Sequence, residues 1–414
     1  MNAYAWIILV ALLVEYGLNL VGNRLNLSSL QLALPDEFRG SFDDERYTKS
    51  QDYTRTKTRF SMVMASFDLA LLLVFWLSGG FAWLDTWARG LGFGPLGSGL
   101  SFIGLLALGS RLIGLPSTLY ATFAIEERFG FNRTTLSTFW QDQVKSLVLT
   151  VLLGGPLLAA ILWLFNSLGE GAWLWCWAVT TLFTLVGMFL APTWIMPLFN
   201  KFTPIEEGEL KDAILAYARS VSFPLEGIFV IDGSKRSSKA NAFFTGFGKS
   251  KRIALFDTLI EGQSTAELVA VVAHEIGHYK RKHILKSLAI GIAHFGVLFW
   301  MLSYFLQTPE LFEAFGLDVS GTEGLPVYAG LLFFGLLLTP IELVLSVLMS
   351  AFSRKNEFEA DAFAAQTTAC AEDLISALKK LSLENLSNLT PHPFYVWLHH
   401  THPPILARIA ALRS

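Results

Sequence analysis

Long apolar windows separated by polar loops dominate the chain. A helix needs about 20 apolar residues to cross the hydrocarbon core of a bilayer. Windows of that kind lie near residues 3–22, 61–84, 100–120, 146–167, 172–196, 284–306 and 326–351, the third interrupted by Arg111. Residues 198–283 contain none. The pattern predicts seven transmembrane helices with a polar region between the fifth and sixth. Within that region "KANAFFTGFGKSKRIALF" alternates polar and apolar residues around Gly246 and Gly248, the period of a β-hairpin. "STAELVAVVAHEIGHYKRKH" reads as a helix, with Ser264 as N-cap and Glu267 three residues on in a capping-box pattern. The first window lacks the basic start and small-residue cleavage site of a signal peptide, so it is expected to remain as the first span.

Composition agrees with a membrane class: of 414 residues 53% are hydrophobic and only 16% charged, and mean hydropathy is +0.47. A net charge of −3 gives no footprint for nucleic acid. Cys176 and Cys370 are the two cysteines and lack metal or disulfide spacing.

Loop charges alternate. The first loop carries Arg24, Arg39, Arg46, Lys49, Arg55, Lys57 and Arg59, and the second only Arg89. The third holds Arg128, Arg133 and Lys145, whereas "NSLGEG" has no base. Residues 198–283 are basic again (Lys235, Arg236, Lys239, Lys249, Lys251, Arg252), and "QTPELFEAFGLDVSGTEGLP" is acidic. Basic loops stay on the cytoplasmic side. The N-terminus is therefore expected outside, with residues 198–283 and the C-terminus inside. Glu15, Asp68, Arg111 and Glu342 fall within the windows; such residues are expected to face a bundle interior or a water cavity.

His274-Glu275-Ile276-Gly277-His278 fits H-E-x-x-H. On a helix, positions i and i+4 share a face, so His274 and His278 can hold one Zn²⁺ with Glu275 beside it as general base and acid. A chance match is weakened because all eight histidines lie at or after residue 274. A catalytic zinc takes three protein ligands and a water. The sixth and seventh windows form a hairpin that returns to the same side near residue 357, where "SRKNEFEADAFA" offers Glu357, Glu359 and Asp361. Glu357 and Asp361 share a helix face, so one can ligate while the other orients a histidine; spacing does not rank them. Glu359 points elsewhere.

With these residues in view, the chain resembles the type I CaaX prenyl proteases, seven-span zinc metalloproteases that trim isoprenylated C-termini. The resemblance is carried in order by "KSQDYTRTKTRF", "EERFGFNRTTLSTFWQDQVKSLVL", "PLFNKFTPIEEGELKDAI" and "SSKANAFFTGFGKSKRIALFDTLI". H-E-x-x-H, Glu357-Phe358-Glu359-Ala360-Asp361 and "WLHHTHPPILARI" follow. It implies an α-helical membrane bundle around a hydrated chamber, with a small α+β metalloprotease cap on the cytoplasmic side. It makes Glu357 the third zinc ligand, Asp361 the holder of a ligand histidine, and His402 and Arg408 stabilisers of the oxyanion or substrate backbone. By sequence alone His399 and His400 rival His402. It points to Asn241 and Ala242 as substrate contacts; a hairpin that only braces the zinc helix is the plainer alternative. His283 and His294 are read as structural.

The expected organisation is residues 1–197 as spans one to five with their loops, 198–283 as the metalloprotease region, 284–351 as spans six and seven, and 352–414 as the segment completing the zinc site. The expected partners are peptide or protein substrates, isoprenylated ones among them, and the bilayer, with one Zn²⁺, no nucleic acid and a monomeric chain. A bacterial inner membrane is preferred over the endoplasmic reticulum. A membrane quality-control protease acting on unprenylated substrates is the main rival. A seven-span receptor or transporter would have no use for the zinc motif. An intramembrane protease would bury it within a span, and a stress-type membrane protease would have fewer spans.

Overall fold

The computed structural model describes residues 1–30, 33–40, 43–247, 250–319 and 324–414, with the side chains of 243–250 left aside. Gly248 and Lys249 therefore lie outside the described residues. The membrane half begins with α1 (Ala3–Ser28), α2 (Asp44–Leu77), α3 (Gly80–Gly90) and α4 (Gly94–Tyr120). It continues with α5 (Leu136–Leu149), α6 (Gly155–Leu168) and α7 (Ala172–Leu190). Side chains such as Val74, Leu182 and Trp300 are about two-thirds exposed, which only a lipid surround makes tolerable over so many helices. The protein is an integral multi-pass membrane protein.

By length and composition five helical runs can cross a membrane: Ala3–Ser28, Asp44–Leu77, Gly94–Glu126, Leu136–Leu198 and His283–Phe305. A sixth counts if α13 (Val327–Leu337) and α14 (Thr339–Thr368), bent by 57°, form one span. That count does not establish the expected seven, which requires the 63-residue run Leu136–Leu198 to cross twice. A 3₁₀ turn at Gly169–Gly171 breaks the run, with Gly169 at φ +57°, and α6 packs against α7 beyond it. Proline explains the bend in the last span: Pro340 in the first turn of α14 offers no N–H to continue α13.

One window, the second, differs in extent from the sequence pattern at both ends. It ends early because Gly79, at φ +80°, closes α2 and starts the separate helix α3. At its other end α2 begins at Asp44, capped by the Asp43 carboxylate on the Arg46 N–H. Its 34 residues span about 51 Å, well beyond the hydrocarbon core. Part of the expected first loop is thus helix. The intrahelical charges find distinct surroundings. Arg111 donates to the backbone and side-chain oxygens of Gln143 on α5, and Glu342 lies 3.0 Å from His294. Asp68 lines a cavity of about 850 Å³ between α2, α3 and α4.

The polar region supplies β1 (Phe202–Pro204), α8 (Glu209–Ser220), β2 (Leu225–Ile231), β3 (Ala242–Phe247) and β4 (Ser250–Phe256). The sheet order is β1-β2-β4-β3, with β2 and β4 parallel and the other pairs antiparallel. The expected hairpin is β3–β4, and β3 is a sheet edge. After α9 (Asp257–Gly262), helix α10 (Thr265–Lys280) carries H-E-x-x-H. Ser264 caps it, and the reciprocal Glu267 bond completes the capping box. Glu267 also takes Ser376 Oγ and Lys380 Nζ from α15 (Ala371–Glu384), after α11 (His283–Phe305) and the short α12 (Pro309–Glu313). Leu268, Ala270, Val272, Ala273 and Ile276 are essentially inaccessible, so α10 is a core helix between α8, α14 and α15. The chain ends with α16 (Pro393–His399) and α17 (Ile405–Arg413).

Candidate metal centre

Two helices bring the ligand candidates together. α10 presents His274 and His278 on one face, and α14 presents Glu357 opposite them. Nε2 of His274 and Nε2 of His278 are 3.1 Å apart. Glu357 oxygens lie 3.4 Å and 3.3 Å from them. The three ligand atoms fall within 4.8 Å of one another, the span of a single metal site.

The donor chemistry fits a cation. Asp361 Oδ1 is 2.8 Å from Nδ1 of His274. A carboxylate only accepts, so Nδ1 of His274 carries a proton and Nε2 is the nitrogen a metal ion would take in place of a second proton. Glu357 Oε2 is buried without a hydrogen-bond partner, a costly state that a metal ion would relieve. Spacing left Glu357 and Asp361 unranked; the geometry separates them by which nitrogen of His274 each one faces.

Asp361 is itself held by Arg408, whose Nε and Nη2 donate to its two oxygens at 2.7 and 2.6 Å. This forked pair is nearly inaccessible. Arg408 Nη1 lies 3.7 Å from Glu357. The immediate partner of Arg408 is therefore Asp361, and only Nη1 stays clear of that fork. His402 Nε2 is 3.4 Å from Glu357 Oε1, and its side chain is 65% exposed. His399 and His400 instead pack their rings on Tyr395, which separates the three C-terminal histidines.

Charge follows from these contacts. Burial alone would depress the His274 imidazole, but the close carboxylates of Asp361 and Glu357 prevail and raise it to about 9. Burial pushes the Glu275 carboxyl above the ordinary carboxylate range against the pull of His274 and His278. Such a group is poised to exchange protons.

Seven of the nine residues singled out in the sequence line one cavity of about 180 Å³: Asn241, Ala242, His274, Glu275, Glu357, His402 and Arg408. Asp361 does not line it, and His278 lines a separate cavity of about 480 Å³ together with His283. At the strand beside the first cavity, the Phe256 N–H donates to the Asn241 carbonyl. Bonds alternate along an antiparallel ladder, so Ala242 turns its backbone N–H and C=O to the free edge. That N–H is met by the Asn241 side chain at 2.9 Å.

Sequence reading missed what holds this strand. Asn385 grips Ala240 from both sides, accepting from its N–H at 3.1 Å and donating to its carbonyl at 3.2 Å. Lys239 reaches Tyr53 Oη at 2.6 Å and Glu126 at 2.8 Å, and Arg236 forms a fork with Asp142. Tyr53, Glu126 and Asp142 belong to the two loop blocks quoted for the resemblance. Those blocks dock the membrane half onto the segment leading into β3.

A family model described as CAAX prenyl protease N-terminal, five membrane helices, matches residues 23–201, and one described as Peptidase family M48 matches residues 204–414. The CAAX prenyl protease 1 of Saccharomyces cerevisiae is 37% identical over 404 residues, covering 92% of this chain and 88% of its own. The CAAX prenyl protease 1 homolog of Homo sapiens is 35% identical, covering 92% and 89%. The crystal structure of S. mikatae Ste24p superposes with a TM-score of 0.94 at 35% identity, covering both chains completely.

Proposed function

The chain belongs to peptidase family M48 and carries the N-terminal membrane region of the CAAX prenyl proteases, and on that premise we propose that it removes the C-terminal tripeptide from CaaX-type substrates, isoprenylated ones among them, with zinc as its metal. It is a membrane metalloendopeptidase. The observation that carries the substrate reading is the shared cavity: two of the three convergent ligand candidates, His274 and Glu357, line it together with Glu275 and an open strand edge.

His274, His278 and Glu357 would hold the ion, which supplies a Lewis acid for the attacking water and the scissile carbonyl. Glu275 takes a proton from that water and returns it to the leaving nitrogen, the role its raised pKa suits. Asp361 keeps His274 in the tautomer with a bare Nε2, and Arg408 holds Asp361. His402 and Nη1 of Arg408, the guanidinium nitrogen outside the fork with Asp361, would stabilise the negative charge that develops on the carbonyl oxygen. Ala242 pairs with the substrate backbone as an added strand, displacing the side chain of Asn241 from its N–H.

We further read residues 1–197 and 284–351 as the membrane segments, with 198–283 and 352–414 as the two parts of a cytoplasmic metalloprotease and the N-terminus outside. A single chain suffices, because every residue of the site comes from it. The sequence favours a bacterial inner membrane, whereas the relatives named above point to a eukaryotic one.

Mass spectrometry of a farnesylated CaaX peptide, its unprenylated twin and a Glu275→Ala control tests the substrate. Loss of three residues from the farnesylated peptide, dependent on Glu275, is expected. Equal cutting of both peptides would replace this reading with a general membrane peptidase, and cutting of neither would remove CaaX peptides as substrates.

A further inference from the structure

The second histidine of the trio has its own chain of partners. His278 Nδ1 lies 3.1 Å from Nδ1 of His283, and His283 Nε2 lies 3.1 Å from Oε2 of Glu359. The two rings meet edge-on with centroids 5.1 Å apart. His283 opens α11 and is 3% exposed, while Glu359 stands on α14 two residues after Glu357. Its other oxygen faces Lys355 at 3.9 Å. Neither residue lines the substrate cavity.

Counting hydrogens fixes the roles. The Glu359 carboxylate can only accept, so the proton of His283 sits on Nε2. A neutral imidazole has one donor and one acceptor, which makes His283 Nδ1 the acceptor. His278 must then donate from Nδ1, and its Nε2 is left bare toward His274 and Glu357. We propose that His283 and Glu359 form a positioning relay that fixes His278 as the tautomer able to ligate the metal. The relay is the counterpart, on the second ligand, of what Asp361 does for the first. It joins three elements, since α10, α11 and α14 each contribute one member. The partner of a ligand histidine sets ring orientation and basicity, and its loss costs metal affinity. His283 is thus a positioning residue, outside the lining of the proposed substrate cavity. The inference rests on His274, His278 and Glu357 being the metal ligands.

The test is metal retention by the purified, detergent-solubilised holoenzyme in competition with a chromophoric chelator, with the thermal midpoint of each variant measured alongside. His283→Phe keeps a planar ring and removes both nitrogens. Glu359→Leu removes the acceptor at a partly exposed position, and Glu359→Gln restores a carbonyl acceptor. His283→Phe and Glu359→Leu are expected to lose about 10- to 100-fold in metal affinity, and Glu359→Gln to recover most of it. Two results overturn the relay: wild-type retention in His283→Phe and Glu359→Leu, or a loss in Glu359→Gln as large as in Glu359→Leu. Should His283→Phe fail to fold, the two Glu359 variants decide alone. A wild-type chain that binds no metal would overturn the ligand assignment beneath it, and the relay with it.

Discussion

Gly277 faces Ala360 so closely that a Cβ at position 277 would come within 3.1 Å of the Ala360 Cα and carbonyl oxygen. These two small residues set the distance between α10 and α14. That distance brings Glu357 to the two histidines. A Cβ would push against backbone, which cannot rotate away as a side chain can.

Gly277→Val is therefore expected to part the two helices. Overpacking of this kind costs about 1–3 kcal/mol, seen as a lower thermal midpoint. The more specific consequence is metal occupancy falling well below wild type, measured by elemental analysis. A variant with full occupancy would show that the contact does not set the site.

Asp361→Ala should weaken metal binding about 10- to 100-fold in a chelator competition, whereas Asp361→Asn should weaken it less, because the amide carbonyl can still accept the Nδ1 proton of His274. Asp361→Ala also strands Arg408, which is buried and held by that carboxylate. Removing one partner of a buried pair costs about 3–5 kcal/mol, so this variant should melt distinctly earlier than Asp361→Asn.

Ala242→Pro separates the fold from substrate pairing. The Ala242 N–H lies outside the β3–β4 ladder, and edge strands accept proline at such positions. Thermal stability should be near wild type, with kcat/KM reduced about 2- to 10-fold for the loss of one hydrogen bond. An unchanged kcat/KM would remove Ala242 from substrate binding.

Glu267 gives a pH dependence of stability. Burial alone would raise its carboxyl pKa, but Lys380, Ser376 and Ser264 hold it below the ordinary range. A carboxyl depressed in the folded state stabilises fully above its unfolded value, near 4.3, and loses that contribution as pH falls through the folded value. Glu267→Gln should cost about 1–3 kcal/mol near neutrality. The gap in thermal midpoint between wild type and variant should narrow below about pH 4. A gap independent of pH would contradict the assignment.

Much of this site was legible because its parts are local. H-E-x-x-H and the Ser264–Glu267 capping box need only helical spacing, and the β3–β4 hairpin only alternation. The choice between Glu357 and Asp361 came from the family resemblance alone and not from spacing, since it depends on which nitrogen of His274 each carboxylate meets across two helices. Nor was the parallel pairing of β2 with β4, which no local pattern encodes. His294 read as a lone residue in a span; its partner Glu342 lies on another helix. Glu359 was assigned away from the site because helical spacing turns it from Glu357, and only the fold brings His283 to meet it. The bend between α13 and α14 was written in Pro340, but an apolar window does not reveal it.

The most direct test of the account is the metal content and turnover of Glu275→Gln measured on the same purified sample. One bound metal per chain, as in wild type, is expected, with hydrolysis reduced about 100- to 10,000-fold. Wild-type turnover in that variant would contradict the role of Glu275 as the proton carrier.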